Sequence, residues 1–196
     1  RFHSLRVINE DIIAAGAGVG MHGHQDMEIL TFVLDGALEH RDSMNNHEII
    51  HPYCLQKMSA GTGVMHSEFN HYKDKATHLF QIWIMPDELG IKPSYETLDI
   101  RNIKDAENGV LVASPNKEDK VIHLYQNTCI YYYKSASNAT LPKQNLWIQM
   151  LKGSITSSKG FTLTAGDAIG IDANENEGIQ VSGDAEFLVF VFPSNQ

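Results

Sequence analysis

The sequence has few cysteines, a deficit of positive charge and no long apolar run. Its 196 residues include two cysteines, Cys54 and Cys129, which have neither CxxC spacing nor the density of a secreted disulfide scaffold. Lys and Arg number 15 against 24 Asp and Glu, and the net charge of −9 disfavours direct binding to nucleic acid or to anionic lipid. No run approaches the roughly 18 apolar residues of a membrane span. We therefore expect a cytoplasmic protein without nucleic-acid or membrane partners.

Strand signals dominate a composition that is otherwise typical of a globular protein, with 42% hydrophobic and 20% charged residues. Dense β-forming runs occur at Glu28–Leu34, His78–Met85 and Cys129–Tyr133, and Gly, Asn and Pro separate the runs. The one helical segment we expect is a short turn around Pro86–Gly90, where Pro-Asp-Glu is a helix-opening sequence. These features predict an all-β fold with very little helix.

An internal repeat indicates how these strands are organised. Two pairs of segments resemble each other: Leu34–Leu38 with Leu151–Ile155, and Met58–Val64 with Leu163–Ile169. Each copy has a strand ending at a glycine turn and a second strand reached through a turn of small residues. The repeat predicts two related barrels in tandem, which we place at residues 1–105 and 106–196.

The histidines are concentrated in the first half of the chain, where nine of the ten lie between residues 3 and 78. His22 and His24 are separated by one residue, as are His66 and Glu68. Alternate residues of a strand point to the same side of a sheet, so each pair is expected to face one point inside the first barrel. Glu28 is separated from His22 and His24 by an even number of positions, so along one continuous strand it would face the same side.

Burying these groups without a partner would cost several kcal/mol, and a cation removes that cost. Imidazoles and a carboxylate with open positions suit Fe, Mn, Co, Ni, Cu or Zn. The pattern leaves three roles open for Glu28: a fifth ligand, an acceptor that orients a ligating imidazole, or a base in the pocket.

Several other polar and aromatic residues have no such pattern. We read Trp83 and Trp147 as core anchors. The remaining histidines of the first half, apart from His3, are interpreted as surface or ordinary strand residues: His40, His47, His51, His71 and His78.

Longer motifs carry a resemblance to a known family. Gly16-x5-His22-x-His24-x3-Glu28-x7-Gly36 and Gly63-x2-His66-x3-Asn70 are similar to the two cupin motifs. The chain resembles more closely the pirin family, in its bacterial quercetinase-like branch, through four segments: Leu5–Asp11, His22–Glu28, Leu38–Ser43 and Met58–Glu68.

The resemblance implies a bicupin whose first barrel holds one divalent transition metal. Carried over by position, it implies the ligands His22, His24, His66 and Glu68, with Fe(II) as the leading metal and Mn, Co, Ni, Cu or Zn as alternatives. The internal repeat places Ala139, Leu141, Asn145, Ile171 and Ala173 at the positions of the first barrel's polar groups, which predicts a second barrel without metal.

The resemblance also implies an activity, the oxidation of a flavonol-like aromatic substrate by O2 as in quercetin dioxygenases. Glu68 is then the candidate for both ligand and catalytic base, and Glu28 is the reserve. The alternative is a non-enzymatic, metal-binding regulatory module that acts through a protein partner. The chain has His22-Gly23-His24-Gln25 where the family usually has His-Pro-His-Arg, and we expect further residues upstream of Arg1.

Overall fold

The computed structural model describes residues 1–103 and 106–194, and these residues form β-strands and turns without any helix. The predicted all-β class is confirmed. The expected helical turn is wrong: Pro86–Gly90 runs as a bend, because the Gly90 N–H is donated to the Asp26 carboxylate rather than to a helical carbonyl. No helix capable of crossing a membrane is found in the described chain.

The chain divides into two compact units, which consist essentially of His3–Asn102 and Ile103–Gln196. The predicted boundary after residue 105 falls at residues 104–105, which lie outside the described residues.

The first unit is built from two sheets. Its described strands are β1 (Leu5–Ile13), β2 (Gly18–His24), β3 (Glu28–Asp35), β4 (Leu38–Asp42), β5 (His47–Ile50), β6 (Cys54–Ser59), β7 (Val64–Asn70), β8 (Thr77–Ile84) and β9 (Ser94–Asp99). One sheet has the order β1-β8-β3-β6-β9 and the other the order β2-β7-β4-β5, and every pairing is antiparallel. This is the strand order of a jelly roll.

The inner faces of these two sheets form the core of the first unit. Val33 and Leu79 of one sheet pack with Leu38 and Ile50 of the other, and all four are buried. Each strand contributes alternate residues to this interior. At one end of the barrel the apolar filling gives way to polar side chains.

The second unit contains one continuous sheet. Its described strands are β10 (Ala106–Ser114), β11 (Ile122–His123), β12 (Cys129–Thr140), β13 (Asn145–Ser157), β14 (Thr162–Thr164), β15 (Ala168–Ile171) and β16 (Gln180–Phe192). The order is β11-β10-β12-β16-β13-β14, with β15 also paired to β13. The long strands β12, β13 and β16 each take the place of two strands of the first unit.

The first half of the predicted repeat agrees with the structure. Gly36 and Gly153 have positive φ angles of 83° and 71° at equivalent bends. Three residues after Gly36, Glu39 pairs with Phe69 of β7; three residues after Gly153, Thr156 pairs with a residue of β16. The early part of β16 therefore corresponds to β7.

The second half of the predicted repeat is wrong by one strand, because it matches β15 with β7 and the structure matches β15 with β6. β15 pairs with β13 as β6 pairs with β3, so Ile171 and Ala173 do not occupy the positions of the histidine and glutamate of β7. Counting along β16 and the residue before it puts Ile179 and Val181 there, and both are buried in the apolar core of the second unit. The short apolar segments were alike in composition, and their pairing partners distinguish them.

Asn70, at the end of β7, ties three segments of the first unit together. Its Nδ2 donates to the carbonyl oxygens of Ile13, Ala14 and Lys75, at 3.0, 3.2 and 2.8 Å. Its Oδ1 accepts hydrogen bonds from the Tyr72 N–H and the Thr77 hydroxyl. The side chain is 5% exposed, so water does not readily replace these partners.

We expect Asn70→Ala to lower the free energy of unfolding of the first unit by about 3 kcal/mol, because it leaves several buried backbone groups unsatisfied. Urea denaturation of the variant beside the wild type measures this. Asn9→Ala, at an exposed position of β1, is the matched control and should change stability by less than about 0.5 kcal/mol. Equal stability of the two variants would contradict the structural role of Asn70.

Candidate metal centre

Two neighbouring strands place three histidines at one point. β2 pairs with β7 so that His22 lies opposite His66, and a register shift between Val19 and His22 sets this alignment. His24 follows two residues later and faces the same side as His22. β2 is an edge strand of its sheet, so His22 and His24 are only partly buried.

The three imidazoles are close enough to share one ion. The ring centroids of His22 and His66 are 4.3 Å apart, and His24 is 4.9 Å from each of them. One ligand nitrogen of each ring lies within 4.8 Å of the other two. His22 Nδ1 donates to the Gly20 carbonyl oxygen at 2.9 Å, which leaves Nε2 as its ligand atom.

His66 is the most buried of the three, with 1% exposure. Neither of its ring nitrogens has a hydrogen-bond partner within the described residues. Burial, and then the neighbouring His22 and His24, lower the pKa of His66 to about 3. His66 therefore offers an unprotonated, unsatisfied lone pair, as a metal ligand must.

Glu68, two residues further along β7, is buried beside His66. Its Oε2 accepts a hydrogen bond from Gln81 Nε2 at 2.8 Å, and its Oε1 accepts a longer one from the Thr31 hydroxyl at 3.5 Å. Burial raises the pKa of Glu68, and the Gln81 hydrogen bond offsets part of that rise. Glu68 is grouped within 4.8 Å with His66 and His40, whereas His22 and His24 form a second group with His66. Imidazoles and a carboxylate of this kind suit a divalent transition metal.

His40 lies beside this cluster. The prediction that His40 is a surface or ordinary strand residue is therefore wrong. His40 is completely buried, and one of its nitrogens lies within 4.8 Å of ligand atoms of His66 and Glu68. Its Nε2 donates to Asp42 Oδ2 at 3.0 Å. The sequence feature that could have identified His40 is the pair His40-x-Asp42, whose alternate residues lie on β4, the strand next to β7. The other four histidines interpreted in this way are exposed or half-buried.

Glu28 is not brought to the cluster. Thr31, which reaches Glu68, lies three residues after Glu28 on the regular strand β3, so the two side chains point to opposite faces of the sheet. The parity shared by Glu28 and His24 does not carry across the turn between them, where Asp26 has a φ of 49°. The expected roles of Glu28 as ligand or pocket base are therefore not supported by its position.

A row of polar residues crosses the sheet that faces Glu68. Gln56, Thr31 and Gln81 are aligned on β6, β3 and β8, and they point to the same interior as Glu68. Sequence reasoning did not identify them, because each is a single polar residue in an apolar strand. Next to Gln81 on this face lies Trp83, which is half-buried and packs against the buried cluster of Ile29, Met58 and Val64.

A groove of about 410 Å³ opens beside His24. Gln25, Ser43, Val64 and Met65 contribute to its lining. Its size lies within the range of small-molecule sites, and its lining mixes polar and apolar groups. An organic ligand therefore has room next to the histidine cluster.

Comparison with known proteins assigns the chain to a family. The Pirin family model matches residues 2–84, and the model of the quercetinase C-terminal cupin domain matches residues 111–191. A curated relative from Escherichia coli strain K12, quercetin 2,3-dioxygenase, is 40% identical over 98% of this chain and 84% of its own length. The chain belongs to the pirin family. The predicted tandem cupin architecture of this pirin is thereby confirmed.

Solved structures of other pirins agree in fold. The crystal structure of YhhW from Escherichia coli matches with a TM-score of 0.87 and 40% identity, covering 98% of this chain and 82% of that one. A structure of YhhW in complex with nickel(II) matches with the same TM-score and 38% identity, covering 97% and 82%. With the donor set of the first barrel, the nickel complex supports a divalent metal for this pirin.

The metal-free protein should lose stability as the pH falls from about 6.5 towards 3. The folded state keeps His66 neutral, with a pKa of about 3, whereas the unfolded chain binds a proton near the ordinary value of 6.5. Burial also lowers the pKa of His24, so His24 likewise makes the folded state less stable as the pH falls. Glu68 acts oppositely, since its raised pKa stabilises the fold below its ordinary value of 4.5 and this contribution is lost as the pH rises through the folded pKa.

Urea denaturation at several pH values between 4.5 and 7.5 tests this expectation. Metal-free His66→Gln should show a shallower fall in unfolding free energy than the wild type, because the buried titrating group has been removed. His71→Gln, at an exposed position, is the control and should follow the wild type. Identical slopes for His66→Gln and the wild type would refute the assignment.

Proposed function

We propose that this pirin is a metal-dependent dioxygenase of the quercetinase type, which cleaves a flavonol-like substrate with O2 and releases carbon monoxide. The observation that carries the proposal is the convergence of His22, His24 and His66 beside a buried glutamate in the first barrel. Relatives named quercetin 2,3-dioxygenase support the substrate class.

The proposed ligands are His22, His24, His66 and Glu68, which hold one divalent metal. When bound, the metal supplies positive charge that stabilises the deprotonated 3-hydroxyl of the flavonol. Fe(II) is the leading metal, and Ni(II) is a direct competitor because YhhW has been solved with nickel. A cytoplasmic location belongs to the same proposal, and two free cysteines agree with it.

Glu68 is the proposed proton acceptor. Its Oε2 accepts the 2.8 Å hydrogen bond from Gln81, whereas Oε1 has the longer contact with Thr31, so Oε1 is the atom available to a metal or to the substrate hydroxyl. In the metal-free protein, burial raises the pKa of Glu68. Glu28 has no part in this mechanism because it faces the other side of its sheet.

An apolar cluster reaches the groove beside His24 through Val64. Ile29, Met58 and Val64 form a buried cluster against which Met44 and Trp83 pack. The half-buried Trp83, whose ring contacts His24, offers an apolar surface to an aromatic substrate.

The activity is tested with protein stripped by a chelator and reloaded separately with Fe(II), Mn(II), Co(II), Ni(II) or Cu(II). Under air, quercetin absorbance should disappear with at least one metal, with one O2 consumed and one carbon monoxide released per flavonol. Glu68→Gln should lower kcat by about 100-fold or more, because it removes the proton acceptor. Full one-to-one metal binding without turnover of quercetin by any form would refute the dioxygenase and favour the non-enzymatic regulatory module.

The ligand set is tested by metal content, measured by elemental analysis and by chelator competition. His22→Ala and His66→Ala should each weaken metal binding by more than about 100-fold, which exceeds the usual effect of a residue that only supports a ligand. His40→Gln should weaken binding by about 10-fold or less, since His40 is not among the proposed ligands. A loss in His40→Gln as large as that in His22→Ala would instead place the ion between His40, His66 and Glu68.

A further inference from the structure

Glu68 is held from the opposite sheet by a chain of two hydrogen bonds. Gln81 Nε2, on β8, donates to Glu68 Oε2 at 2.8 Å. Trp83 Nε1, two residues further along β8, donates to Gln81 Oε1 at 3.2 Å. Because Gln81 and Trp83 are alternate residues of one strand, both side chains face the barrel interior.

The direction of this chain follows from the chemistry of its members. An indole N–H donates and never accepts, so Trp83 requires the carbonyl oxygen of the Gln81 amide. The NH2 group of that amide is then left for Glu68, which as a carboxylate only accepts. Rotating the amide by half a turn would lose both bonds, so the indole fixes which group Gln81 presents to Glu68.

Trp83 also contacts the second strand that carries proposed ligands. Its ring meets the His24 ring edge-on, with centroids 5.0 Å apart and an interplanar angle of 81°. β2 is an edge strand, so neighbouring strands restrain His24 on one side of it only. One indole therefore supports a histidine of β2 directly and the glutamate of β7 through Gln81.

Thr31 is the other hydrogen-bond donor to this carboxylate. Its contact with Oε1 is 3.5 Å long, at the limit of a hydrogen bond, whereas the Gln81 bond is short. The orientation of Glu68 therefore depends mainly on Gln81.

We propose that Gln81 and Trp83 are positioning residues that set the geometry of the metal centre, by fixing the rotation of the Glu68 carboxylate and the plane of the His24 ring. The proposal rests on the ligand set given under Proposed function. Neither residue acts on the substrate, and each acts through a ligand. Residues of this kind usually change metal affinity by 10- to 100-fold when they are removed.

The test uses the full chain loaded with Co(II), whose visible absorption reports coordination number and geometry. Gln81→Leu removes both hydrogen bonds at similar volume, and we expect a changed Co(II) spectrum with an affinity about 10- to 100-fold lower. Trp83→Phe keeps a ring against His24 but removes the N–H, so it should shift the spectrum in the same direction with a loss of about 10-fold or less. Trp83→Leu removes both supports and should bind Co(II) more weakly than Trp83→Phe.

Two controls come from the second unit. Gln149→Leu and Trp147→Phe make the same chemical changes at alternate positions of β13 in the second unit, and both should keep the wild-type Co(II) spectrum and affinity. Circular dichroism and the unfolding midpoint show whether each variant is folded. Trp83→Phe is the mildest change and keeps the test decisive if Gln81→Leu does not fold.

Folded Gln81→Leu or Trp83→Phe with a wild-type Co(II) spectrum and affinity would overturn the proposal. A spectral change in both variants and in neither control would support it. Both readouts are taken without flavonol, so failure of the dioxygenase proposal would leave them interpretable. Conversely, loss of Co(II) binding in His40→Gln but not in His22→Ala would show that the proposed ligand set is wrong, and would not by itself contradict the positioning role of Gln81 and Trp83.

Discussion

The structure of the first barrel depends on the burial of a histidine and a glutamate on β7. His66 and Glu68 occupy successive inward positions of this strand, where an apolar interior cannot replace the water that they lose. Burial lowers the pKa of the histidine and raises that of the glutamate. A divalent cation between the strands is the partner that offsets this cost, so the same burial that destabilises the metal-free fold provides a binding site.

The two sheets of the barrel contribute different parts of this centre. The sheet containing β2 and β7 carries the three histidines and Glu68, and the sheet containing β3 and β8 carries Thr31 and Gln81, which donate hydrogen bonds to Glu68. A centre divided in this way depends on the distance between the sheets, which the apolar cluster of Val33, Leu38, Ile50 and Leu79 maintains.

The second unit has the same strand arrangement, but apolar residues stand at the positions equivalent to His66 and Glu68. Ile179 and Val181 occupy the positions of the ligand pair, and they pack into a continuous apolar core. Its long strands β12, β13 and β16 run without interruption where the first unit breaks each into two.

The sequence by itself determined the fold class, the pirin resemblance and the grouping of His22, His24 and Glu68 with His66, because alternation along a strand is a local property. It did not determine which strands face each other. Glu28 was grouped with the site because the alternation of strand positions was carried across a turn. His40 and Gln81 were missed because the residues that they approach at the site, His66 and Glu68, lie on a different strand. Only the tertiary structure decided these positions, since the pairing register and the facing of two sheets are set by contacts between residues far apart in the chain.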